Sequence, residues 1–262
     1  MGQSIIQVDA FADKPFGGNP AAVCVMDGPG NEQWMQAVAA EMNLSETAFL
    51  SPADGGWRIR WFTPVVEVEL CGHATLASAH VLYSDGHARS DQRIVFHSKS
   101  GPLYAVRDGE YVSLDFPAAR TEPVDPIEDV VAALGVKPVF FGKARFDYLI
   151  EVGTETEVRT CTPDFNLLTK TRVRGVMVTS RSAGEFDFVS RFFAPGVGIA
   201  EDPVTGSAHC ILAPYWSQRL NKDTMLAYQA SRRGGTLRVT VAGDRVHLAG
   251  KAVIVMRGEL LV

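Results

Sequence analysis

No apolar run in this chain approaches the ~18 residues that a membrane-spanning helix needs, so a helical membrane protein is not expected. The first residues, Met1-Gly2-Gln3-Ser4, hold no basic segment leading into an apolar one, so no secretory leader is expected either. Basic residues are in the minority. Lys and Arg number 25 against 30 Asp and Glu, a formal net charge of −5. With no basic run and no interleaving of aromatic and basic residues, that balance argues against a nucleic-acid binder. Cysteine is scarce: Cys24, Cys71, Cys161 and Cys210 match neither a zinc spacing nor a Cys-x-x-Cys pair. In a chain this long they are expected to be reduced thiols of a cytoplasmic protein, with Cys24, Cys161 and Cys210 as small core residues. A dinucleotide fingerprint, a nucleophile elbow and a His-x-x-Glu-His metal motif are all missing. Gly17-Gly18-Asn19-Pro20 lacks the Gly-Lys-Ser/Thr that would complete a phosphate loop and reads as a turn.

What is present is ordinary in amount and unusual in arrangement. Hydrophobic residues make up 46% and charged residues 21%, enough to bury a sizeable core and to exclude a disordered chain. The chain of 262 residues allows one or two domains. Arg60-Trp61-Phe62-Thr63-Pro64 returns 131 residues later, half the chain length, as Arg191-Phe192-Phe193-Ala194-Pro195. Each copy leads through a glycine turn into a run of small residues, 72–79 and 206–213. Ser98-Lys99-Ser100-Gly101 is echoed 133 residues on by Ser231-Arg232-Arg233-Gly234. Behind each echo comes an alternating strand pair, turning at Asp108-Gly109 and at Gly243-Asp244. Three matches in register predict two similar domains, since the period is far too long for a solenoid. Pro117, Pro123 and Pro126 place the boundary, giving a first domain of residues 1–117 and a second of 118–262, whose last strand could cross back to the first.

Strands are expected over 4–10, 21–26, 46–51, 58–62, 93–97, 103–107 and 111–116, and a helix over 31–43 with Asn31 as its N-cap. Residues 73–84 and 206–219 are small or apolar on nearly every side, the pattern of a buried helix. The expected architecture is therefore α/β (α+β), with each domain a curved sheet around one central helix.

Both central helices open at a glycine, in Cys71-Gly72-His73 and Thr205-Gly206-Ser207. A helix N-terminus offers unpaired N–H groups and a partial positive charge. Two such termini across a domain cleft would grip a carboxylate and stabilise an enolate formed beside it, although glycine at a helix start also serves packing alone. Asp202 precedes Pro203 and reads either as a turn or capping residue or as a group aimed at the cleft. His73 reads either as a structural hydrogen-bonding group or as an acid-base. Glu46 enters a strand whose same-face neighbours are Ala48 and Leu50. There a carboxylate either sits at a wet edge or is buried for a purpose, and burial would raise its pKa from ~4.3 towards the general acid-base range.

Several motifs taken together resemble one family. They are Asp9-Ala10-Phe11 with Phe16-Gly17-Gly18-Asn19-Pro20-Ala21-Ala22-Val23, Asn43-Leu44-Ser45-Glu46-Thr47-Ala48-Phe49, Arg60-Trp61-Phe62-Thr63-Pro64, Leu70-Cys71-Gly72-His73-Ala74-Thr75-Leu76-Ala77 and Glu201-Asp202-Pro203-Val204-Thr205-Gly206-Ser207-Ala208-His209. In order and spacing they resemble the phenazine-biosynthesis (PhzF-like) proteins over nearly the whole chain. The resemblance implies a diaminopimelate-epimerase-like fold of two pseudo-symmetric domains with the active site between them. It also implies an isomerase that shifts a proton on trans-2,3-dihydro-3-hydroxyanthranilate or a related cyclic amino acid, without cofactor or metal. By the same resemblance Glu46 is the proton shuttle, and His73 and Asp202 bind or polarise the substrate. Gly72, Gly206 and Ser207 hold its carboxylate, Asn19, Cys71 and Thr205 complete the binding set, and the protein is a homodimer.

Two other readings stay open. The epimerase relatives carry a cysteine before each helix-start glycine, where this chain has Cys71 and Thr205. A two-thiol epimerase is excluded because threonine supplies no thiolate, but the Cys/Thr pair resembles 3-hydroxyproline dehydratases, with Cys71 as base. A non-catalytic small-molecule binding protein on the same scaffold is the third reading.

Overall fold

A computed structural model describes residues 2–261. They fall into two compact units, residues 2–116 with 249–261 and residues 117–248. In the first unit the chain forms β1 (Gln3–Ala10), β2 (Asn19–Val25), α1 (Glu32–Met42), β3 (Glu46–Ala53), β4 (Gly56–Phe62), β5 (Glu67–Val68), α2 (Gly72–Ser84), β6 (Ile94–Ser98), β7 (Gly101–Asp108) and β8 (Tyr111–Pro117). The second unit holds β9 (Glu122–Pro123), α3 (Glu128–Leu134), β10 (Pro138–Ala144), β11 (Asp147–Val152), α4 (Glu155–Thr160), α5 (Phe165–Lys170), β12 (Gly175–Arg181), β13 (Phe188–Ala194), β14 (Ile199–Asp202), α6 (Gly206–Leu220), β15 (Thr224–Gln229), β16 (Gly235–Ala242) and β17 (Arg245–Gly250). The chain then returns, and β18 (Ala252–Leu260) runs antiparallel along β1 in the first unit.

The repeat in the sequence is a repeat of topology. Within the first unit β1–β2 is antiparallel, β2–β3 parallel, β3–β4 antiparallel, β4–β6 parallel and β6–β7 antiparallel. Within the second, β10–β11, β11–β12, β12–β13, β13–β15 and β15–β16 follow the same alternation. A parallel pair needs a crossover, usually helical. Accordingly α1 lies between β2 and β3, α4 and α5 between β11 and β12, and α2 and α6 ahead of β6 and β15.

The two long crossovers become the centres of their units. Ten of the thirteen residues of α2 are buried, and nine of the fifteen in α6. Leu76, Val81 and Leu82 of α2 are fully buried, each worth about 1.5–3 kcal/mol over exposure. Two buried hydroxyls of α2 bond to their own helix: that of Thr75 donates to the Cys71 carbonyl (2.6 Å) and that of Ser78 to the Ala74 carbonyl (2.7 Å). That local bonding offsets the cost of desolvating hydroxyls in a buried helix. Asn31 caps α1 as expected, accepting from the Trp34 N–H at 3.0 Å.

Each unit fastens the segment ahead of its central helix in the same way. The Arg60 guanidinium on β4 grips Glu67 with Nε and Nη2, both at 2.7 Å, and lies 5.0 Å from the Phe62 ring centre. On β13 Arg191 grips Glu201 at 2.7 and 3.0 Å and lies 4.8 Å from the Phe193 ring centre. The Arg60 fork holds Glu67 well below the usual carboxylate range. The serine echoes complete the fastening. The Ser100 hydroxyl donates to the Glu69 carbonyl (2.8 Å) and that of Ser231 to the Pro203 carbonyl (2.8 Å). Arginine, carboxylate and hydroxyl thus fix the backbone within a few residues of Gly72 and of Gly206.

Candidate active site

In the first unit three strand or helix starts supply the polar side chains. Gly18, at φ +61°, makes the turn into β2; a Cβ there would lie 2.1 Å from the Ala10 carbonyl oxygen, so only glycine fits. The turn delivers Asn19, which is completely buried. Parallel pairing sets Glu46, the first residue of β3, beside Ala21 of β2. Ala48 and Leu50 on its face are buried, while the Glu46 side chain stays 13% exposed. Cys71 is the N-cap of α2 but its side chain makes no capping bond, which leaves the first-turn N–H groups around Gly72 to other acceptors.

His73 ties these elements together. Its Nδ1 lies 3.2 Å from Asn19 Nδ2 and 3.6 Å from Cys71 Sγ, and its Nε2 lies 3.2 Å from Glu46 Oε2. Burial pushes the imidazole down to about 3, so the ring is neutral and its contact with Glu46 is not an ion pair. An amide NH2 can only donate, so Nδ1 is the acceptor and the hydrogen sits on Nε2, the ring nitrogen beside Glu46. The first unit therefore holds a half-buried carboxylate, a neutral imidazole 3.2 Å from it and an open helix start.

The second unit builds a different set. Asp202 ends β14 and Thr205 caps α6. The Thr205 hydroxyl donates to Asp202 Oδ2 at 2.5 Å. Gln229, the last residue of β15 and fully buried, organises both. Its Oε1 accepts from the Thr205 N–H (2.8 Å), and its Nε2 donates to the Asp202 carbonyl (2.7 Å) and to Thr205 Oγ1 (3.2 Å). One turn into α6, His209 donates from Nδ1 to the Thr205 carbonyl at 2.8 Å, and burial lowers its pKa to about 4. Gly206 is buried and Ser207 is exposed at the helix start.

Thus the structure brings Asn19, Glu46, Cys71, Gly72 and His73 together in the first unit, and Asp202, Thr205, Gly206 and Ser207 in the second. Sequence reasoning missed Gln229. The signal was there: Met225 and Ala227 alternate with exposed or half-buried residues on β15, so period two puts Gln229 on the inner face, where an amide needs partners. Register also exposes an asymmetry of the repeat. Thr47 faces Phe62 as Val176 faces Phe193, so Gly175 is the counterpart of Glu46. A Cβ on Gly175 would lie 2.3 Å from the Phe192 ring and 3.0 Å from Asp147 Oδ1.

Comparison with known proteins places the chain. The family model of phenazine biosynthesis-like proteins (PhzC-PhzF) matches residues 8–258. An uncharacterized isomerase of Halalkalibacterium halodurans is 53% identical with complete coverage of both chains, and phenazine biosynthesis-like domain-containing protein 1 of Mus musculus is 43% identical over 98% of each. The crystal structure of a PhzF-family phenazine biosynthesis protein from Enterococcus faecalis superposes with a TM-score of 0.96 at 42% identity, each chain covered completely. A probable proline racemase of Agrobacterium radiobacter shares the fold alone, at a TM-score of 0.69 and 13% identity over 99% of this chain and 93% of that one. The fold is thus the diaminopimelate-epimerase-like α/β fold, and the chain belongs to the phenazine biosynthesis-like (PhzC-PhzF) family as an isomerase-type enzyme.

Proposed function

We propose that the protein is a cofactor-independent isomerase in which Glu46 moves a proton between carbon atoms of a small cyclic amino-carboxylate resembling trans-2,3-dihydro-3-hydroxyanthranilate. The observation that carries this reading is the Glu46 carboxylate 3.2 Å from the Nε2 of a neutral, buried His73. A carboxylate can take a proton from carbon and return it at a second carbon of the same substrate. His73 stands beside Glu46 and offers its N–H to a substrate oxygen. The negative charge that develops on the substrate is stabilised by N–H groups at Gly72 and Gly206 and by the Ser207 hydroxyl, with Asp202 receiving the substrate's amino or hydroxyl group. Asn19 and Thr205 act through the hydrogen bonds that fix His73 and Asp202. The working form is a cytoplasmic homodimer.

Proton NMR in deuterated water tests this with trans-2,3-dihydro-3-hydroxyanthranilate as substrate. Wild type should consume it with deuterium entering a ring carbon, and Glu46→Gln should lose turnover by about 10²-fold or more. Equal rates in the two proteins would sink the role given to Glu46. One contact favours a second reading: Cys71 Sγ lies 3.6 Å from His73 Nδ1, so a thiol-based racemase or dehydratase has its base beside an imidazole. Against it, the Thr205 hydroxyl is committed to Asp202. Full activity in Cys71→Ser would eliminate this reading.

A further inference from the structure

We propose that Glu46, Cys71 and His73 form a binding site for Zn2+, which occupies the acid-base group and blocks it. One donor atom from each residue, a thiol sulfur, an imidazole nitrogen and a carboxylate oxygen, lies within 4.8 Å of the other two. Zinc accepts all three donor types, and three protein ligands leave its fourth tetrahedral position to water. Bond lengths of about 2.3 Å to sulfur and about 2.05 Å to nitrogen put these two atoms about 3.6 Å apart on a tetrahedral ion. His73 Nδ1 and Cys71 Sγ already stand at 3.6 Å.

The resting tautomer suits the ion as well. Nδ1 carries the ring's lone pair, which at rest accepts from Asn19, so the ring needs no proton shift to bind a metal once that amide turns away. The Asn19 amide, 3.2 Å from Nδ1, must swing aside, and the Glu46 carboxylate, which at rest lies 3.2 Å from Nε2, must turn about its own side chain to the Nδ1 side of the ring. Binding converts the Cys71 thiol to a zinc thiolate and releases that proton to solvent, so affinity rises with pH. Cys71 and His73 are 7% and 5% exposed while Glu46 is the more open member, so the ion enters from the Glu46 side. Among the described residues no other group of three such donors occurs, and the thiols of Cys24, Cys161 and Cys210 are pushed up to about 12, 11 and 12 by burial.

The metal binding stands by itself, whereas the block on turnover rests on the Glu46 reading above. Titration of the full chain with Co2+ tests the binding. A thiolate-to-cobalt charge-transfer band and strong four-coordinate visible bands should appear, saturate at one equivalent and vanish on adding Zn2+. Cys71→Ser should lose the charge-transfer band, and His73→Gln should weaken binding about tenfold or more, with circular dichroism confirming that both variants fold. No band with wild type, or the same band in Cys71→Ser, would overturn the site. Bands accompanied by unimpaired turnover with Zn2+ would uphold the site and count against Glu46 as the proton shuttle.

Discussion

Replacing Gln229 by methionine keeps the length and volume of the side chain and removes both of its polar ends. Three hydrogen bonds disappear, to the Thr205 N–H, the Asp202 carbonyl and Thr205 Oγ1. Gln229 is wholly buried, so water cannot replace it. A buried N–H or C=O left without a partner costs about 1–3 kcal/mol. Two backbone groups and one weaker hydroxyl contact give an expected loss of about 2–4 kcal/mol once local relaxation is allowed. That is a large part of the ~5–15 kcal/mol that holds a domain together. Urea unfolding followed through the fluorescence of Trp216, buried in α6 of the same unit, should show a lower midpoint with an unchanged slope. Glutamate at this position is the control. It keeps the acceptor for Thr205, loses the donor to Asp202 and adds a second carboxylate there, so acidification should restore part of its stability. Under the proposed reaction, Gln229→Met should also lower kcat more than it raises KM, because Asp202 and Thr205 lose their common anchor. A methionine variant within about 0.5 kcal/mol of wild type, with kinetics unchanged, would refute the reasoning.

Further outcomes follow from the same geometry. Heteronuclear NMR of the histidine side chains should find His73 neutral with its hydrogen on Nε2, and Asn19→Leu should weaken that preference; a hydrogen on Nδ1 in wild type would contradict the bonding described. His73 and His209 are held at about 3 and about 4 inside the fold but titrate near ~6.5 when unfolded. Below ~6.5 the unfolded chain therefore binds more protons, and stability falls as pH drops towards 4 by up to about 1.4 kcal/mol per pH unit for each ring. Urea unfolding at pH 7 and pH 5 should show this fall, and His209→Gln should make it shallower; an identical fall would argue against a buried neutral His209. Arg60→Ala should cost about 1–2 kcal/mol by leaving the half-buried Glu67 to the Lys99 ammonium alone, and lysine should not rescue it, because an ammonium cannot reproduce the fork. An Arg60→Lys variant that melts with wild type would discount the fork.

Much of this was legible in the sequence, for identifiable reasons. Period two marked Glu46 as a carboxylate on an apolar face, and the all-round apolar runs marked α2 and α6 as buried centres. The repeat of Arg60 as Arg191 was visible, but its purpose was not. The carboxylate partners lie seven residues on in one unit and ten in the other, at Glu67 and Glu201, so no fixed offset links them. The short helices α4 and α5 span six residues each, too few for a periodic signal. Their caps Thr154 and Asp164 were the only local markers. Gln229 escaped because a lone amide at the end of a strand looks like the start of a turn until its partners, more than twenty residues away in sequence, are placed beside it.

The glycine at 175 bears on how a duplicated fold divides its labour. Duplication gave β3 and β12 the same register, and a carboxylate at position 175 would have mirrored Glu46. Instead the Phe192 ring and the Asp147 carboxylate, held by Arg174, fill the space that a side chain would need. Asp147 is 1% exposed and Phe192 6%, so neither can move aside cheaply. Drift at residue 175 alone is thus closed to the second half, and recovering a matched pair of acids would take coordinated change at three positions. Under the proposed reaction, then, only the first copy of the repeat has room for the carboxylate that moves the proton, and packing closes the matching place in the second.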